Sequence, residues 1–335
     1  MQITATLRLM KKITSTIAIF GCLSFLFCAA AIAQSETWPS RNIRLVVGYS
    51  PGGTTDIAAR LVAERLSARL GKQVIVENRA GAGGTVATLS VVRAEPDGYT
   101  LLMAAAPEVS IAPFTIKGLA YDPLVDLQPV AMVGSVPFLL VTHPQLPVSS
   151  VADLIAYAKA NPGKLNYSSF GENTTNHFAG ELFKSLTQIN TLHVPYKGSG
   201  PSIIDLISGQ IQYSFDAPAA VMEQVRGGRL KALAISGAQR LANAPNIPTF
   251  AEQGLPTFTA GTWFGILAPN KTQQIIVDRL NAEVNAVLAL PELLKVFADR
   301  DIVPAGGTAQ AFRAFIVSET TKWKKLALEV GIRAQ

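Results

Sequence analysis

Two polar loops in this sequence each follow a strand-like apolar run and precede a helical pattern. The first loop, Pro51-Gly52-Gly53-Thr54-Thr55-Asp56, comes after an apolar run, and Thr54 or Thr55 is predicted to cap the next helix. The second loop lies in the stretch 165–177. A helix start exposes backbone N–H groups at the positive end of the helix dipole, so it can hold an anion without a lysine or arginine. Together the loops predict a cleft that grips a small carboxylate.

Several titratable side chains lie in these loops or follow predicted strands. Asp56 falls in the first turn of a helix, where capping and the helix dipole account for it. His177 is one turn into the second helix, and both ligand contact and packing against the neighbouring strand remain open. Asp216 follows a predicted strand at the carboxyl edge where open α/β sheets bind ligands, so it either lines the cleft or has a structural role. Tyr196 and Lys197 reach the same edge, where Lys197 is either an anion partner or an exposed lysine.

The sequence does not carry the motifs of nucleotide, metal or nucleophilic chemistry. The stretch Gly81-Ala-Gly83-Gly84-Thr85-Val86 lacks the endings of a dinucleotide fingerprint and of a P-loop, so we expect a flexible loop that lets two backbones approach closely. His143, His177 and His193 are widely spaced, which argues against a metal site. Gly198-Ser199-Gly200 is not a G-x-S-x-G elbow, although spacing alone leaves open a Ser-His-Asp triad assembled across the fold. We predict no catalytic residue, no metal and no cofactor.

The first 33 residues have the pattern of a signal peptide. Basic residues precede an apolar run at 17–30, which is short for a membrane-spanning helix, and Ala31-Ile32-Ala33 fits a signal-peptidase site. Gly21-Cys22 fits part of a lipid-attachment box, but Phe20 before it does not. We therefore predict export to the periplasm with cleavage after Ala33.

The cysteine content and the charge distribution argue against two further classes of function, thiol chemistry and nucleic-acid binding. Both cysteines, Cys22 and Cys28, lie in the predicted signal peptide, so the mature chain has neither disulfides nor a catalytic thiol. The whole chain has 29 basic and 23 acidic residues, and part of its net charge of +6 also comes from the signal peptide. The sequence contains no run of five like charges and no basic stripe with interleaved aromatics, so nucleic acid is not an expected partner.

Strand-like runs alternate with helical patterns through the rest of the chain, which predicts parallel sheets covered on both faces. The predicted strands are 44–49, 73–76, 100–104, 165–168, 191–194, 211–215 and 230–235. The predicted helices are 55–70, 150–160, 175–186, 201–208, 272–288, 291–298 and 308–328. Gly71 is predicted to end the first helix, and Ser150 to cap the second.

Two apolar segments marked by proline, 137–142 and 262–267, are interpreted as crossings between two domains. The first domain is then discontinuous and consists of 34–139 and 264–335. The second domain is 140–263.

An ordered series of short motifs along nearly the whole mature chain resembles one family, the periplasmic solute-binding proteins of tripartite tricarboxylate transporters, also called Bug receptors. The motifs are Trp38-Pro39, Gly52-Gly53-Thr54-Thr55-Asp56-Ile57-Ala58-Ala59-Arg60, Val76-Glu-Asn-Arg-Ala-Gly-Ala-Gly-Gly84, Pro96-Asp-Gly-Tyr-Thr-Leu101, Tyr121-Asp-Pro123, Ala156-Tyr-Ala-Lys-Ala-Asn-Pro-Gly-Lys-Leu-Asn-Tyr167, His193-Val-Pro-Tyr-Lys-Gly198, Ala232-Leu-Ala234, Pro248-Thr-Phe-Ala-Glu252, Gly254-Leu-Pro256 and Ala268-Pro269. One such motif alone would be weak, whereas the ordered series is specific.

The resemblance implies a two-lobed α/β binding protein of the Venus-flytrap type, type II-like. Each lobe would be a mainly parallel sheet flanked by helices, and two crossing strands would join the lobes. Family members hold a carboxylic acid, often a dicarboxylate, between the lobes and pass it to membrane permease subunits. Such a receptor is not an enzyme, and a monomer is the default expectation.

The resemblance also implies a set of ligand-binding residues. In the first lobe these are Tyr49, Gly52, Gly53, Thr54 and Asp56, and in the second lobe Ser169, Gly171, Asn173, Thr174, Thr175 and His177, with Tyr196 and Asp216 nearby.

Two departures from the family pattern concern the ligand. Asn173-Thr174 stands where many relatives have Gly-Ser, which makes the second loop bulkier. Glu108 adds a negative charge in a segment that commonly reads Asn-Leu-Asn-Pro. If Glu108 faces the cleft it would repel a second carboxylate, and the ligand would be a monocarboxylate, an amide-bearing acid or an aromatic acid.

Two alternative functions use the same residues. A secreted hydrolase or lyase of small acids would employ Asp216 and His177. A ligand-sensing subunit would use the same closing lobes to signal to a membrane kinase instead of feeding a permease.

Overall fold

The computed structural model describes residues 38–334, so the predicted signal peptide, 1–33, and its cleavage site lie outside the described residues. Residues 38–334 contain eleven strands, β1 (Ile43–Val47), β2 (Val74–Asn78), β3 (Thr100–Ala105), β4 (Leu127–Pro137), β5 (Leu139–Thr142), β6 (Asn166–Ser169), β7 (Leu192–Pro195), β8 (Tyr213–Asp216), β9 (Lys231–Ile235), β10 (Gly261–Pro269) and β11 (Val303–Pro304).

The same residues contain eleven α-helices, α1 (Thr54–Leu70), α2 (Thr85–Val92), α3 (Ala112–Thr115), α4 (Pro123–Asp126), α5 (Val151–Ala160), α6 (Thr175–Thr187), α7 (Ser199–Ser208), α8 (Pro218–Arg226), α9 (Gln274–Leu288), α10 (Pro291–Ala298) and α11 (Ala309–Val330). A 3₁₀ turn, Ala82–Gly84, precedes α2, and a π-helical turn, Pro107–Ile111, precedes α3. None of the helices in residues 38–334 combines the length and the hydropathy that a membrane span requires.

The first sheet has the strand order β11-β4-β10-β3-β1-β2. Its strands β2, β1 and β3 are parallel, and Val47 of β1 lies opposite Asn78 and Met103. The carboxyl ends of these strands therefore share one edge, which carries the first polar loop. The remaining pairs in this sheet are antiparallel.

The second sheet has the order β7-β6-β8-β5-β9. Strands β7, β6 and β8 are parallel, whereas β5 runs antiparallel to both β8 and β9. The second polar loop follows β6, and Asp216 ends the neighbouring strand β8.

The α/β class with two helix-flanked sheets is confirmed, but each sheet is mixed rather than mainly parallel. The antiparallel pairs involve the strands β4, β5 and β10, which carry the chain from one sheet to the other and back. In the first sheet, β4 leaves and β10 returns, so these two strands run in opposite directions and pair antiparallel.

The outgoing crossing contains a single residue, since β4 ends at Pro137 and β5 begins at Leu139. That residue, Phe138, donates its N–H to Oγ of Ser236 over 2.7 Å and accepts from the N–H of Ser236 over 2.9 Å. The Ser236 hydroxyl also donates to the carbonyl of Ala260, which lies just before β10 on the returning segment. One serine thus bonds both connections between the sheets.

The last helix, α11, packs into the cores of both sheets. Phe312 and Ile316 belong to the apolar cluster of the first sheet, and Trp323 and Leu326 to that of the second. Trp323 makes an edge-to-face contact with Phe178 of α6 at 5.7 Å between ring centroids. The assignment of 264–335 to a first domain, with the other domain boundaries, stays a prediction.

Helix α1 follows the predicted pattern along its length. Ala58, Val62, Leu66 and Leu70 recur every four residues and are all buried against the first sheet. Gly71 then adopts a left-handed conformation, with φ of 68°, and ends the helix as predicted. In α5, Ser150 is the N-cap and accepts from the N–H of Asp153, again as predicted.

The glycine-rich stretch 81–84 brings two backbones together, as predicted from the sequence. A Cβ on Gly48, at the end of β1, would lie 2.6 Å from Cα of Gly84. The prediction of a loop was incomplete, however, because Thr85 begins helix α2, which the sequence analysis missed.

Candidate ligand-binding site

The first loop of the site joins β1 to α1 and contains two exposed glycines, Gly52 and Gly53. The N-cap of α1 is Gly53, with extended backbone, and no side chain caps the helix. The predicted caps Thr54 and Thr55 are therefore wrong, because both already lie within the first helical turn. The first N–H groups of the helix have no intrahelical acceptor, so they remain available to an anion.

Asp56 holds this loop in place. Its carboxylate accepts from the N–H of Gly52 over 2.9 Å, from Nδ2 of Asn78 over 2.8 Å and from Nε of Arg60 over 3.0 Å. Burial raises the pKa of Asp56, but the hydrogen bonds from Arg60, Gly52 and Asn78 outweigh it and hold the pKa below its ordinary value. The carboxylate is thus directed at protein donors, which supports the structural interpretation of Asp56 over ligand contact.

Half-buried Tyr49, beside the first loop, is hydrogen-bonded to the buried Glu108. The hydroxyl of Tyr49 donates to Oε2 of Glu108 over 2.6 Å, and the N–H of Ala105 donates to Oε1 over 2.6 Å. Glu108 is 0 % exposed, so it does not face a cleft directly. Burial raises the pKa of Glu108 from its ordinary value of 4.5 to about 7, while the bonds from Tyr49 and Ala105 offset part of the rise.

The second loop joins β6 to α6 through a compact network. Thr174 is the N-cap of α6, and its hydroxyl lies 2.6 Å from the carbonyl oxygen of Gly171 and 3.4 Å from the N–H of His177. Ser169, at the end of β6, has its Oγ 2.9 Å from the same carbonyl of Gly171. Asn173 lies in the left-handed region with φ of 62°. These contacts fix the start of a 13-residue helix beside the edge of the second sheet.

Asn176 is a candidate ligand contact that the sequence analysis missed. It is 0 % exposed, and its Oδ1 accepts from the N–H of Phe170 and from the hydroxyl of Thr174. Its Nδ2 has no hydrogen-bond partner among the described residues. A buried amide donor without an acceptor is costly, and a ligand oxygen or a water would satisfy it. The only sequence signal was its place in a polar helix start.

His177 packs against the neighbouring strand. Its ring stacks on His193 of β7, with centroids 4.0 Å apart and planes 11° apart, and His193 stacks in turn on Tyr167. Burial lowers the pKa of His177, and burial followed by the charge of His177 lowers the pKa of His193 to about 4. Burial thus favours the neutral form of both rings. Nε2 of His193 also lies 2.6 Å from Oγ of Ser169, which is itself buried.

Tyr196 and Asp216 lie at the same edge of the sheet but are bonded elsewhere. The hydroxyl of Tyr196 donates to Asp205, and its N–H donates to the carbonyl of Ser169. Asp216 is fully buried and accepts from the hydroxyl of Ser199 over 3.0 Å. Burial raises the pKa of Asp216 from 3.8 to about 7, against the hydrogen bonds from Ser199 and the following residue.

The described contacts do not join His177 to Asp216. His177 is bonded through Asn173 and Thr174, whereas Asp216 is bonded to Ser199 and to the backbone that follows it. Among the described residues, no hydrogen bond therefore links the two side chains that the hydrolase or lyase alternative would employ. In residues 38–334, no group of three or more His, Asp or Glu side chains is arranged to hold a metal ion.

A cavity of about 330 Å³ lies between the start of α1, which follows the first loop, and a helix that flanks the second sheet. Thr54 and Ile57 line it from α1, and Met222 and Arg226 line it from α8. Arg226 is a second residue that the sequence analysis missed, because α8 was not predicted. Of the predicted site residues, Thr54 is the one that this cavity connects to the other sheet. Among the contacts of residues 38–334, no hydrogen bond joins the first loop to the second.

The sequence matches the family described as "Tripartite tricarboxylate transporter family receptor" over residues 58–332. It is 36% identical to Protein BugT of Bordetella pertussis (strain Tohama I) over 323 residues, which are 96% of this chain and 99% of BugT. The chain belongs to the tripartite tricarboxylate transporter receptor family.

Solved structures of similar sequence share the fold of this receptor. The structure described as R. palustris Rpa4515 with adipate has a TM-score of 0.77 and 35% identity, and the match covers 89% of the receptor and 100% of that chain. MatC (Rpa3494) from Rhodopseudomonas palustris with bound malate has a TM-score of 0.72 and 30% identity, covering 86% and 99%. Family and fold are those of solute-binding receptors, so the receptor has the architecture of a binding protein.

Proposed function

We propose that the receptor captures a small organic carboxylate in the periplasm, between the loop before α1 and the loop before α6. It then delivers the acid to the membrane permease subunits of a tripartite transporter. The observation that carries the proposal is the unpaired, fully buried Nδ2 of Asn176 at the N-terminus of α6. Helix N-termini favour anions, and this amide adds a donor at the same place.

The first loop supplies the other half of the proposed site. Gly52 and Gly53 are exposed, and the N–H groups that begin α1 have no acceptor within the helix. Two similar receptors, Rpa4515 with adipate and MatC with bound malate, support the choice of a carboxylate.

Binding would shift the receptor toward a closed form, because only a closed cleft lets both loops contact one ligand. The closed monomer would then be the form that the permease recognises. Co-purification with permease subunits, compared with co-purification of a membrane kinase, tests the transport role against a sensing role.

A thermal-melt screen tests the ligand class. The protein is unfolded and refolded to remove any bound ligand, and then melted with mono-, di- and tricarboxylates, amino acids, aromatic acids and neutral compounds. An acid at 100 times its Kd adds about 2.7 kcal/mol, which is roughly 5 °C in a protein of this size. Stabilisation by acids alone supports the proposal, and stabilisation by neutral compounds alone contradicts it. Turnover of a stabilising acid would instead favour the alternative function, a hydrolase or lyase of small acids.

A further inference from the structure

The hydroxyl proton of Tyr49 is committed to Glu108 whenever that carboxyl group is ionised. Tyr49 is half-buried beside the first loop, and its hydroxyl donates to Glu108 over 2.6 Å, with the carbonyl of Gly83 more distant at 3.4 Å. A phenol has one proton to donate, although its oxygen can still accept. Burial, and then the nearby Glu108, hold the pKa of Tyr49 above its ordinary value, so the phenol keeps that proton.

Glu108 is fixed in an orientation that maintains this bond. Its other carboxylate oxygen accepts from the N–H of Ala105 over 2.6 Å, and a Cβ on Gly84 would lie 2.8 Å from its Cδ. The hydroxyl of Tyr121 donates to its backbone carbonyl over 2.7 Å. Among the ion pairs of the described residues, none involves Glu108. The bond to Ala105 and the close approach of Gly84 therefore hold the carboxylate toward Tyr49.

We propose that Tyr49 and Glu108 set the ligand specificity of the first loop, because Tyr49 offers the ligand an acceptor and not a donor. The favoured ligand then carries a hydrogen-bond donor, a hydroxyl or an amide N–H, in addition to the carboxylate. This inference rests on the proposed carboxylate-binding function.

The physical reason is the mismatch that other ligands would create. A plain carboxylate or methylene placed against Tyr49 leaves the phenol oxygen without a donor. A ligand carboxylate there would also lie near the buried charge of Glu108 whenever Glu108 is ionised. A ligand hydroxyl or amide satisfies that oxygen. Sites built to hydrogen-bond a substrate group discriminate against analogues that lack it.

Calorimetric titration with matched pairs of acids tests the inference on the refolded, ligand-free receptor at pH 8.5. The pairs are succinate with 2-hydroxysuccinate, succinate with succinamate, and propionate with lactate. For each pair that binds, we expect the hydroxy acid or amide to bind about 3- to 10-fold more tightly, the range for one neutral hydrogen bond.

Three variants separate specificity from folding. Tyr49→Phe keeps the ring but removes the acceptor, so the preference should disappear. Glu108→Gln lets the amide donate to Tyr49 and frees the phenol proton, so the preference should fall or reverse. Tyr121→Phe removes a different hydroxyl from the same cluster and should keep the preference. A thermal melt of each variant establishes that it is folded.

The outcomes distinguish this inference from the proposed function. The specificity inference is overturned if the wild type binds acids but the affinities of the two members of each pair agree within twofold. It is also overturned if Tyr49→Phe keeps the preference. In either case carboxylate binding stands. If no acid of a broad panel binds the refolded wild type, both are overturned.

Discussion

The backbone N–H of Asn173 donates to Nδ1 of His177 over 3.1 Å, so the loop before α6 determines which nitrogen of the ring carries the proton. A neutral imidazole that accepts at Nδ1 has its hydrogen at Nε2. The His177 ring is held on one side by this bond from the loop and on the other by stacking on His193 of β7. The start of α6 is therefore a pre-organised set of polar groups, and the first predictions concern it.

Replacing Asn176 with Asp tests the donor that carries the proposed function. Asp keeps an oxygen for the N–H of Phe170 but replaces the unpaired Nδ2 with a second oxygen. We expect affinity for the acid found in the thermal screen to fall about 100-fold or more, because the change removes a donor and adds a like charge. Titration calorimetry measures the dissociation constant of the acid for both proteins. Asn161→Asp adds the same charge at the end of α5 and should leave affinity within twofold.

Thr174→Val tests the cap of α6. The N-cap hydroxyl is lost while the shape is kept, so we expect the free energy of unfolding to fall by about 1 kcal/mol. Urea unfolding measures the change, and Thr174→Ser should restore most of it. Equal stability of the valine and wild-type proteins would contradict this role.

Gly48→Ala tests the close approach of β1 to the glycine-rich turn. The new Cβ would meet the backbone of Gly84 at 2.6 Å, and a backbone cannot move aside as a flexible side chain can. We expect a loss of about 1–3 kcal/mol in the free energy of unfolding. Gly200→Ala in α7 is the control, since no atom lies within 4 Å of its added Cβ, and it should not destabilise the protein.

Glu108→Gln should change the pH dependence of stability. Because burial raises the pKa of Glu108 from 4.5 to about 7, the folded state binds the proton more tightly than the unfolded state. The free energy of unfolding is then highest, for this group, below pH 4.5 and falls as the pH rises through about 7, by an amount on the order of 3 kcal/mol. The variant avoids this loss, so its melting temperature should rise relative to wild type between pH 5 and pH 8.5.

Glu64→Gln is the control for that comparison, since Glu64 is largely exposed on α1. Its melting temperature should follow that of the wild type at both values of pH. A constant difference between Glu108→Gln and wild type would show that Glu108 titrates normally.

Local patterns predicted much of the fold. The strands and helices around both loops were located because apolar periodicity, Ser150 and Gly71 act within a few residues of the elements they bound. Helix α2 was missed because it follows glycines and contains β-branched residues, which lower helix propensity.

The non-local parts of the site could not be read from the sequence. His193 contacts His177 because β7 pairs with β6 in a register that puts Tyr167 opposite His193, and no short-range signal specifies that register. The burial of Glu108 depends on Tyr49, 59 residues earlier, and on a π-helical turn. Asn176 became a candidate only when the bonds to its oxygen showed which of its atoms is unpaired.

The bonds of Ser236 also have a mechanical consequence. Its backbone and hydroxyl hold Phe138 on the outgoing connection, and the same hydroxyl holds Ala260 on the returning one. A rotation about the backbone torsions of either connection must therefore strain or break a bond to the other. A rotation of one sheet against the other therefore moves both connections together, because the same side-chain oxygen bonds each of them. The two bonded residues, Phe138 and Ala260, are 122 positions apart in the sequence.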